Sequence, residues 1–244
     1  MNLGLIGYPL GHSFSPSYFK GRFIQQGLKG HSYHALAVED LKDFKDLVKQ
    51  HNWSGFNVTL PHKQSIISQL DIIDKAAAEI GAVNCVAIRN GKWIGYNTDY
   101  MGFSKSLVPL LEPHHTSALI LGDGGAALAV KYALNQLGIS FVSVTRSGSL
   151  KFSDLHPSHI TEHTIIINCT PIGMHPNEED APDLPYEAIG SRHLLYDLIY
   201  NPEQTKFLKK GALLGARTKS GLEMLHLQAE ASWQIWNSTH HQAT

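Results

Sequence analysis

Apolar positions recur along this chain in short blocks whose spacing alternates between the strand period of two and the helix period near 3.6. Leu3–Ile6 reads as a short strand closed by Gly7 and Pro9. After a loop over Gly11–Pro16, Ser17–Gln26 reads as a helix that stops at Gly27. Ser32–Val38 is a second strand, and Leu41, Phe44, Leu47 and Val48 then fall on one face of a helix. Phe56–Leu60 is a third strand, ended by Pro61. Ile80–Ile88 and Lys92–Tyr96 read as paired strands around the turn Asn90-Gly91. Strands alternating with helices predict an α/β unit with a largely parallel sheet.

The pattern restarts near residue 100, after Asn97-Thr98-Asp99, which reads as a helix start. Ser117–Leu121 is an apolar strand that runs into Gly122-Asp123-Gly124-Gly125 and then an Ala- and Leu-rich helix ending at Gly138. Ser140–Thr145, Thr164–Cys169 and Leu194–Leu198 follow as further strands. This order is the opening of a doubly wound nucleotide fold. Leu222, Leu225, Ala229, Trp233 and Trp236 share one face of a closing helix that can pack back on the first unit. The predicted organisation is two α/β domains with a cleft between them: residues 1–99 with the closing helix from about 222 to 244, and residues 100–221.

Composition narrows the partners. The 244 residues carry 20 Lys+Arg against 21 Asp+Glu, a formal net charge of −1, so no basic footprint for nucleic acid is expected. The two cysteines, Cys85 and Cys169, exclude a disulfide scaffold and fit a reducing compartment. The opening MNLGLIGYPL lacks a basic n-region, and apolar runs such as Ala118–Leu121 and Thr164–Ile167 are too short to span a bilayer. The expectation is a soluble cytoplasmic protein, monomer or homodimer. Among the histidines, His156, His159 and His163 invite a metal reading, but there is no H-E-x-x-H and no paired cysteines, so no metal is expected.

Gly122, Gly124 and Ala127 satisfy G-x-G-x-x-G/A between a strand and a helix. Glycines let backbone N–H groups approach a pyrophosphate at the positive end of a helix dipole. The loop alone is equally a tight turn of any α/β protein, and the next strand discriminates. It ends Val144-Thr145-Arg146-Ser147, with a guanidinium where NAD sites carry the carboxylate that grips the ribose 2′-hydroxyl. Arg146 suits a 2′-phosphate and therefore NADP.

Four further runs sharpen the reading: G-Y-P-L-G-H-S-F-S-P with Ser13 and Ser15; N-V-T-L-P-H-K from Asn57 to Lys63; G-A-V-N from Gly81 to Asn84; and G-Y-N-T-D from Gly95 to Asp99. With Gly122–Ala126 and the late Gly221…Gln228-Ala229, the chain resembles the shikimate dehydrogenase family over essentially its whole length. The resemblance implies an NADP-dependent oxidoreductase that reduces 3-dehydroshikimate to shikimate in aromatic amino-acid biosynthesis. It also implies an N-terminal catalytic domain followed by a Rossmann-type domain. Position by position, Lys63 and Asp99 match the catalytic pair. Ser13, Ser15, Thr59, Asn84, Asp99 and Gln228 match the substrate set, and Tyr200 lies in the matching run Asp197–Pro202. Gly122, Asp123, Gly124, Gly125, Ala126, Thr145, Arg146, Ser147, Leu198 and Gly221 match the cofactor positions. Four positions depart from the family pattern: Asp123 where a small residue is usual, Thr145 for Asn, Leu150 for a second basic residue, and Cys85 for Thr.

The chemistry needs these residue types. Hydride delivery to a ketone builds negative charge on oxygen, which a partly desolvated Lys63 ammonium stabilises and then protonates. Ser13 and Ser15, two apart in an extended loop, present hydroxyls to one side and can grip a carboxylate without a buried cation. Each residue also has an ordinary reading: a solvated lysine, turn serines, strand-end Asn84 and Thr59, and Asp99 as a helix cap. Two alternatives remain beside the NADP enzyme. One is a quinate/shikimate dehydrogenase using NAD; the other is a ligand-sensing relative without catalysis, which should have lost Lys63 or Asp99.

Overall fold

The computed structural model describes residues 1–11, 14–42 and 44–238. It divides the chain into two compact units: residues 1–98 with 229 onward, and residues 99–228.

Unit one is built on a six-stranded mixed sheet in the order β2-β1-β3-β5-β6-β4. Its strands are β1 (Asn2–Gly7), β2 (Ser32–Ala37), β3 (Gly55–Val58), β4 (Ile72–Ile73), β5 (Cys85–Arg89) and β6 (Lys92–Tyr96). The parallel pairs β1-β2, β1-β3 and β4-β6 and the antiparallel hairpin β5-β6 meet the expectation, and β3-β5 adds a second antiparallel pair. Asn90 and Gly91 take positive φ and close a hairpin, which reverses the chain without a helical crossover. The predicted strand from Ile80 is corrected. A short helix, α3 (Lys75–Ile80), forms because the Asp74 side chain accepts from Ala76 N and Gly81 ends it in the left-handed conformation.

Helix α1 (Phe14–Gln25) begins three residues before the predicted start. Pro16 lies in its first turn, where a missing N–H leaves no bond unmade. One face of the sheet packs on α2 (Phe44–Gln50) through Phe44, Val48, Phe56 and Trp93. The other carries Leu3, Cys85 and Ala87 against Phe19 and Phe23 of α1 and Trp233 and Trp236 near the chain's end. Trp236 is fully buried, donates from Nε1 to Val86 O at 3.0 Å, and occupies the space that a side chain at position 55 would need. Its truncation to alanine would cost about 3–5 kcal/mol. Arg22 and Glu230 form an ion pair, with the guanidinium also over the Trp233 ring.

Unit two has a five-stranded parallel sheet in the order β11-β10-β9-β7-β8. The strands are β7 (Ser117–Leu121), β8 (Ser140–Val144), β9 (Ile165–Asn168), β10 (Leu194–Asp197) and β11 (Arg217–Lys219). Helices α4 (Asp99–Leu107), α5 (Gly125–Gln136), α6 (Pro157–Glu162) and α7 (Lys206–Leu213) accompany them, and α8 (Leu222–Asn237) begins in this unit and ends in unit one. Alternate residues of β7 serve opposite cores: Ala118 and Ile120 join one cluster, Leu119 and Leu121 the other. That is the signature of parallel strands covered on both faces. With β8 and β9 on either side of β7, the strand order reverses between β7 and β9, the place where doubly wound sheets bind nucleotides.

Candidate active site

In unit one the loop after β3 carries Thr59, the cis peptide Leu60-Pro61 and Lys63. Main-chain bonds hold it at both ends. Thr59 N donates to Ile6 O at 2.8 Å, and Tyr8 N donates to Leu60 O at 2.9 Å. Gly7 permits this approach, because a side chain there would meet the Thr59 methyl at 2.4 Å. His62 is buried against Val38 O. The Lys63 carbonyl accepts from Val83 N at 2.7 Å, which brings the N-V-T-L-P-H-K and G-A-V-N runs together. Lys63 is half-buried, Thr59 is half-buried and Asn84 is buried.

Behind these residues lies a chain of buried polar groups. Asn84 Oδ1 accepts from Thr98 N at 2.6 Å, and Asn84 Nδ2 donates to Thr98 Oγ1 at 2.9 Å. Thr98 Oγ1 lies 3.1 Å from Ser232 Oγ, which accepts from Asn57 Nδ2 at 3.0 Å. Asn57 Nδ2 also donates to Asn84 O at 3.1 Å, and Asn57 Oδ1 accepts from the Tyr33 hydroxyl at 2.8 Å. Burial drives the Tyr33 hydroxyl well above the ordinary phenol range, and a hydrogen bond with the Ser15 hydroxyl opposes that rise. Ser15 therefore sits in the first turn of α1, half-buried, rather than in an extended loop. Ser13 lies outside the described residues.

Unit two supplies Asp99, buried and the first residue of α4, where the helix dipole favours a carboxylate. Gln228 is buried on α8 and donates to Leu225 O at 3.0 Å. Tyr200 is half-buried, and burial raises its hydroxyl pKa. Its loop is organised by Asp197, which accepts from Asn168 Nδ2 at 3.1 Å, Ile199 N at 3.0 Å and Thr205 Oγ1 at 2.7 Å. Burial pushes the Asp197 carboxyl up to about 6, against the pull of those donors. Asp197 opens the run Asp197–Pro202, and its place at the end of an apolar strand marks it as the group that organises this loop.

The glycine loop follows β7. Gly122 has φ of 104° and donates to Val144 O at 2.8 Å, and a Cβ there would come within 3.1–3.3 Å of Thr170 and Cys169, so both conformation and space disfavour a side chain. Gly124 precedes α5 with no side-chain cap, and the space where a Cβ would stand is open. The first turn of α5 thus presents uncapped N–H groups to an open cradle, which fits a pyrophosphate. Asp123 is exposed, so its carboxylate can turn to water. Gly125 and Ala126 continue into the helix. At the end of the neighbouring strand Thr145 is buried and accepts from Gly148 N at 2.7 Å, while Arg146 and Ser147 are exposed. An exposed guanidinium at the carboxyl end of β8 fits a ribose phosphate. Gly221 backs onto Leu198, whose carbonyl oxygen lies 2.1 Å from where a Cβ would be, so these two positions are fixed against each other by packing.

Among the described residues no group of three His, Cys, Asp or Glu could hold a metal, and no helix is long and apolar enough to cross a membrane. Residues 5–86 match the family model described as the shikimate dehydrogenase substrate binding domain. The chain is 40% identical over 255 residues to a shikimate dehydrogenase (NADP(+)) of Methanococcus maripaludis, covering 96% of this chain and 91% of that one. It superposes on a shikimate dehydrogenase of Aquifex aeolicus with a TM-score of 0.86 at 37% identity, over 97% of this chain and 92% of the other. A Thermus thermophilus enzyme of the same name, solved with NADP(H) and shikimate, gives a TM-score of 0.86 at 29% identity, covering 97% and 93%.

Proposed function

The chain belongs to the shikimate dehydrogenase family, and from that premise we propose that it catalyses the reversible NADPH-linked reduction of 3-dehydroshikimate to shikimate. The observation that carries the reading is the Val83–Lys63 main-chain bond, which joins the lysine segment to the segment of Asn84. NADPH, when bound, supplies a hydride to the substrate's carbonyl carbon. Gly122, Asp123, Gly124, Gly125 and Ala126 would hold its pyrophosphate, Thr145, Arg146 and Ser147 the 2′-phosphate, and Leu198 and Gly221 the remainder.

The chain's own work is proton transfer and orientation. The Lys63 ammonium stabilises the charge that develops on the former ketone oxygen and donates the proton from Nζ. In the reverse direction the neutral amine takes that proton back. Asp99 accepts from the reacting or a neighbouring hydroxyl. Ser13 and Ser15 grip the carboxylate as neutral donors, and Thr59, Asn84, Tyr200 and Gln228 engage the ring hydroxyls. The same reading puts the protein in the cytoplasm, as a monomer or homodimer working on small molecules.

The test is the rate of nicotinamide reduction with shikimate, run in parallel with NADP and NAD and repeated with quinate. Turnover of shikimate with a strong NADP preference is expected. A preference for NAD would move quinate to the top of the substrate list and remove Arg146 from its role. No turnover by folded protein with either cofactor would favour a ligand-sensing relative.

A further inference from the structure

Asn57, Thr98 and Ser232 are 6%, 0% and 0% exposed, as buried as the apolar side chains around them. Buried amides and hydroxyls cost stability unless their partners are well placed, and a satisfied chain of them rigidifies whatever it holds. This chain converges on Asn84, and main-chain groups set its sense. A carbonyl can only accept, so the Asn57 Nδ2 must face Asn84 O, and Asn57 Oδ1 is turned to the Tyr33 hydroxyl. A main-chain N–H can only donate, so Asn84 Oδ1 must face Thr98 N at 2.6 Å. Neither amide can flip without setting oxygen against oxygen or N–H against N–H. Ser232 Oγ joins the two halves, 3.0 Å from Asn57 Nδ2 and 3.1 Å from Thr98 Oγ1.

We propose that Ser232, on a helix that carries no family motif at that position, is a positioning residue for substrate binding. Linked to Asn57 and Thr98, it fixes the two groups that bracket Asn84, whose amide sense the Thr98 N–H sets, and so steadies that amide for a ring hydroxyl. A pre-set donor spares the ligand the cost of fixing an amide rotor, so the benefit falls on binding more than on the chemical step. The inference rests on the assignment of Asn84 to the substrate.

The test is a cycle of variants read by steady-state kinetics below the thermal midpoint of each. Ser232→Ala is expected to raise the KM for shikimate about three- to tenfold, the size of one neutral hydrogen bond, with the KM for NADP unchanged and kcat altered less than twofold. In the Asn84→Ala background the same change should add almost nothing, because its target is gone. Thr98→Val removes the neighbouring hydroxyl without adding volume and should behave alike, so it carries the test if Ser232→Ala folds poorly. An unchanged KM in both, with Asn84→Ala raising it, overturns the inference, and so does additivity. If Asn84→Ala itself leaves KM unchanged, the Asn84 assignment falls and the inference with it, while the wild-type turnover assay still judges the reaction.

Discussion

The polar chain of unit one and the glycine loop of unit two are built in opposite ways. Unit one works with side chains: Asn84 is fixed by Thr98, Thr98 meets Ser232, Ser232 accepts from Asn57, and all four are buried. At its glycine loop unit two works with backbone: Gly124 leaves open space before the uncapped first turn of α5, while Asp123, Arg146 and Ser147 stand exposed. On the proposed function, the difference follows from what each would recognise. A small ring with several hydroxyls is told from its neighbours by donors and acceptors at fixed angles, which only braced side chains provide. A pyrophosphate is common to many cofactors, and a helix terminus with glycines meets it without side chains.

Side-chain truncation should therefore be far more damaging around the polar chain and lysine loop of unit one than at the glycine loop of unit two. Lys63→Ala is the extreme case, with kcat for shikimate oxidation falling about 10²–10⁴-fold, the range for loss of a general acid–base group, and KM changing much less. An active variant would strip Lys63 of its role. In unit two Arg146 is the exception that sharpens the contrast, because in its proposed role it would read a distinguishing feature rather than a common core. Arg146→Ala should raise the KM for NADP about ten- to a hundredfold, as expected for one charge-assisted contact, and leave that for NAD within about twofold. An equal rise for both would reassign the residue to the shared part of the cofactor.

The smallest effect concerns stability. Asp197 of unit two is buried as deeply as the polar chain of unit one, and its pKa is raised to about 6 from an ordinary value near 3.9. A raised acid binds its proton more tightly in the folded state. Its contribution is therefore fully present below about pH 4 and is lost as pH rises through 6, on the order of 3 kcal/mol for a shift of that size. Carbon-13 titration of the carboxyl should give a midpoint near 6. The stability difference between the wild type and Asp197→Asn should change across that window. A midpoint near 4 would mean that the three donors outweigh burial.

Much of unit two could be read from the chain, because its signals are local. Ser117–Leu121 is an uninterrupted apolar run, Gly122 must take positive φ, and the strand appears at the predicted residues. In unit one the hairpin at Asn90-Gly91 was equally plain. Harder were elements whose evidence is short or split: α3, which has both caps but only six residues, β4 with two, and β11 with three. Lys63, Asn84 and Asp99 stood out because they sit in dense motifs. Ser232 did not, since a hydroxyl 175 positions from Asn57 leaves no periodic mark, and only folding brings the two to 3.0 Å.

That long separation has a consequence in time. Unit one is written in two pieces with residues 99–228 between them. During synthesis the nucleotide-type unit is one uninterrupted stretch and can close its parallel sheet as soon as β11 has emerged. The first ninety-odd residues must wait with Gly55 and Val86 open until Trp236 arrives. Apolar surface left uncovered for that interval is prone to association, so the half that emerges first is the half that chaperones should find.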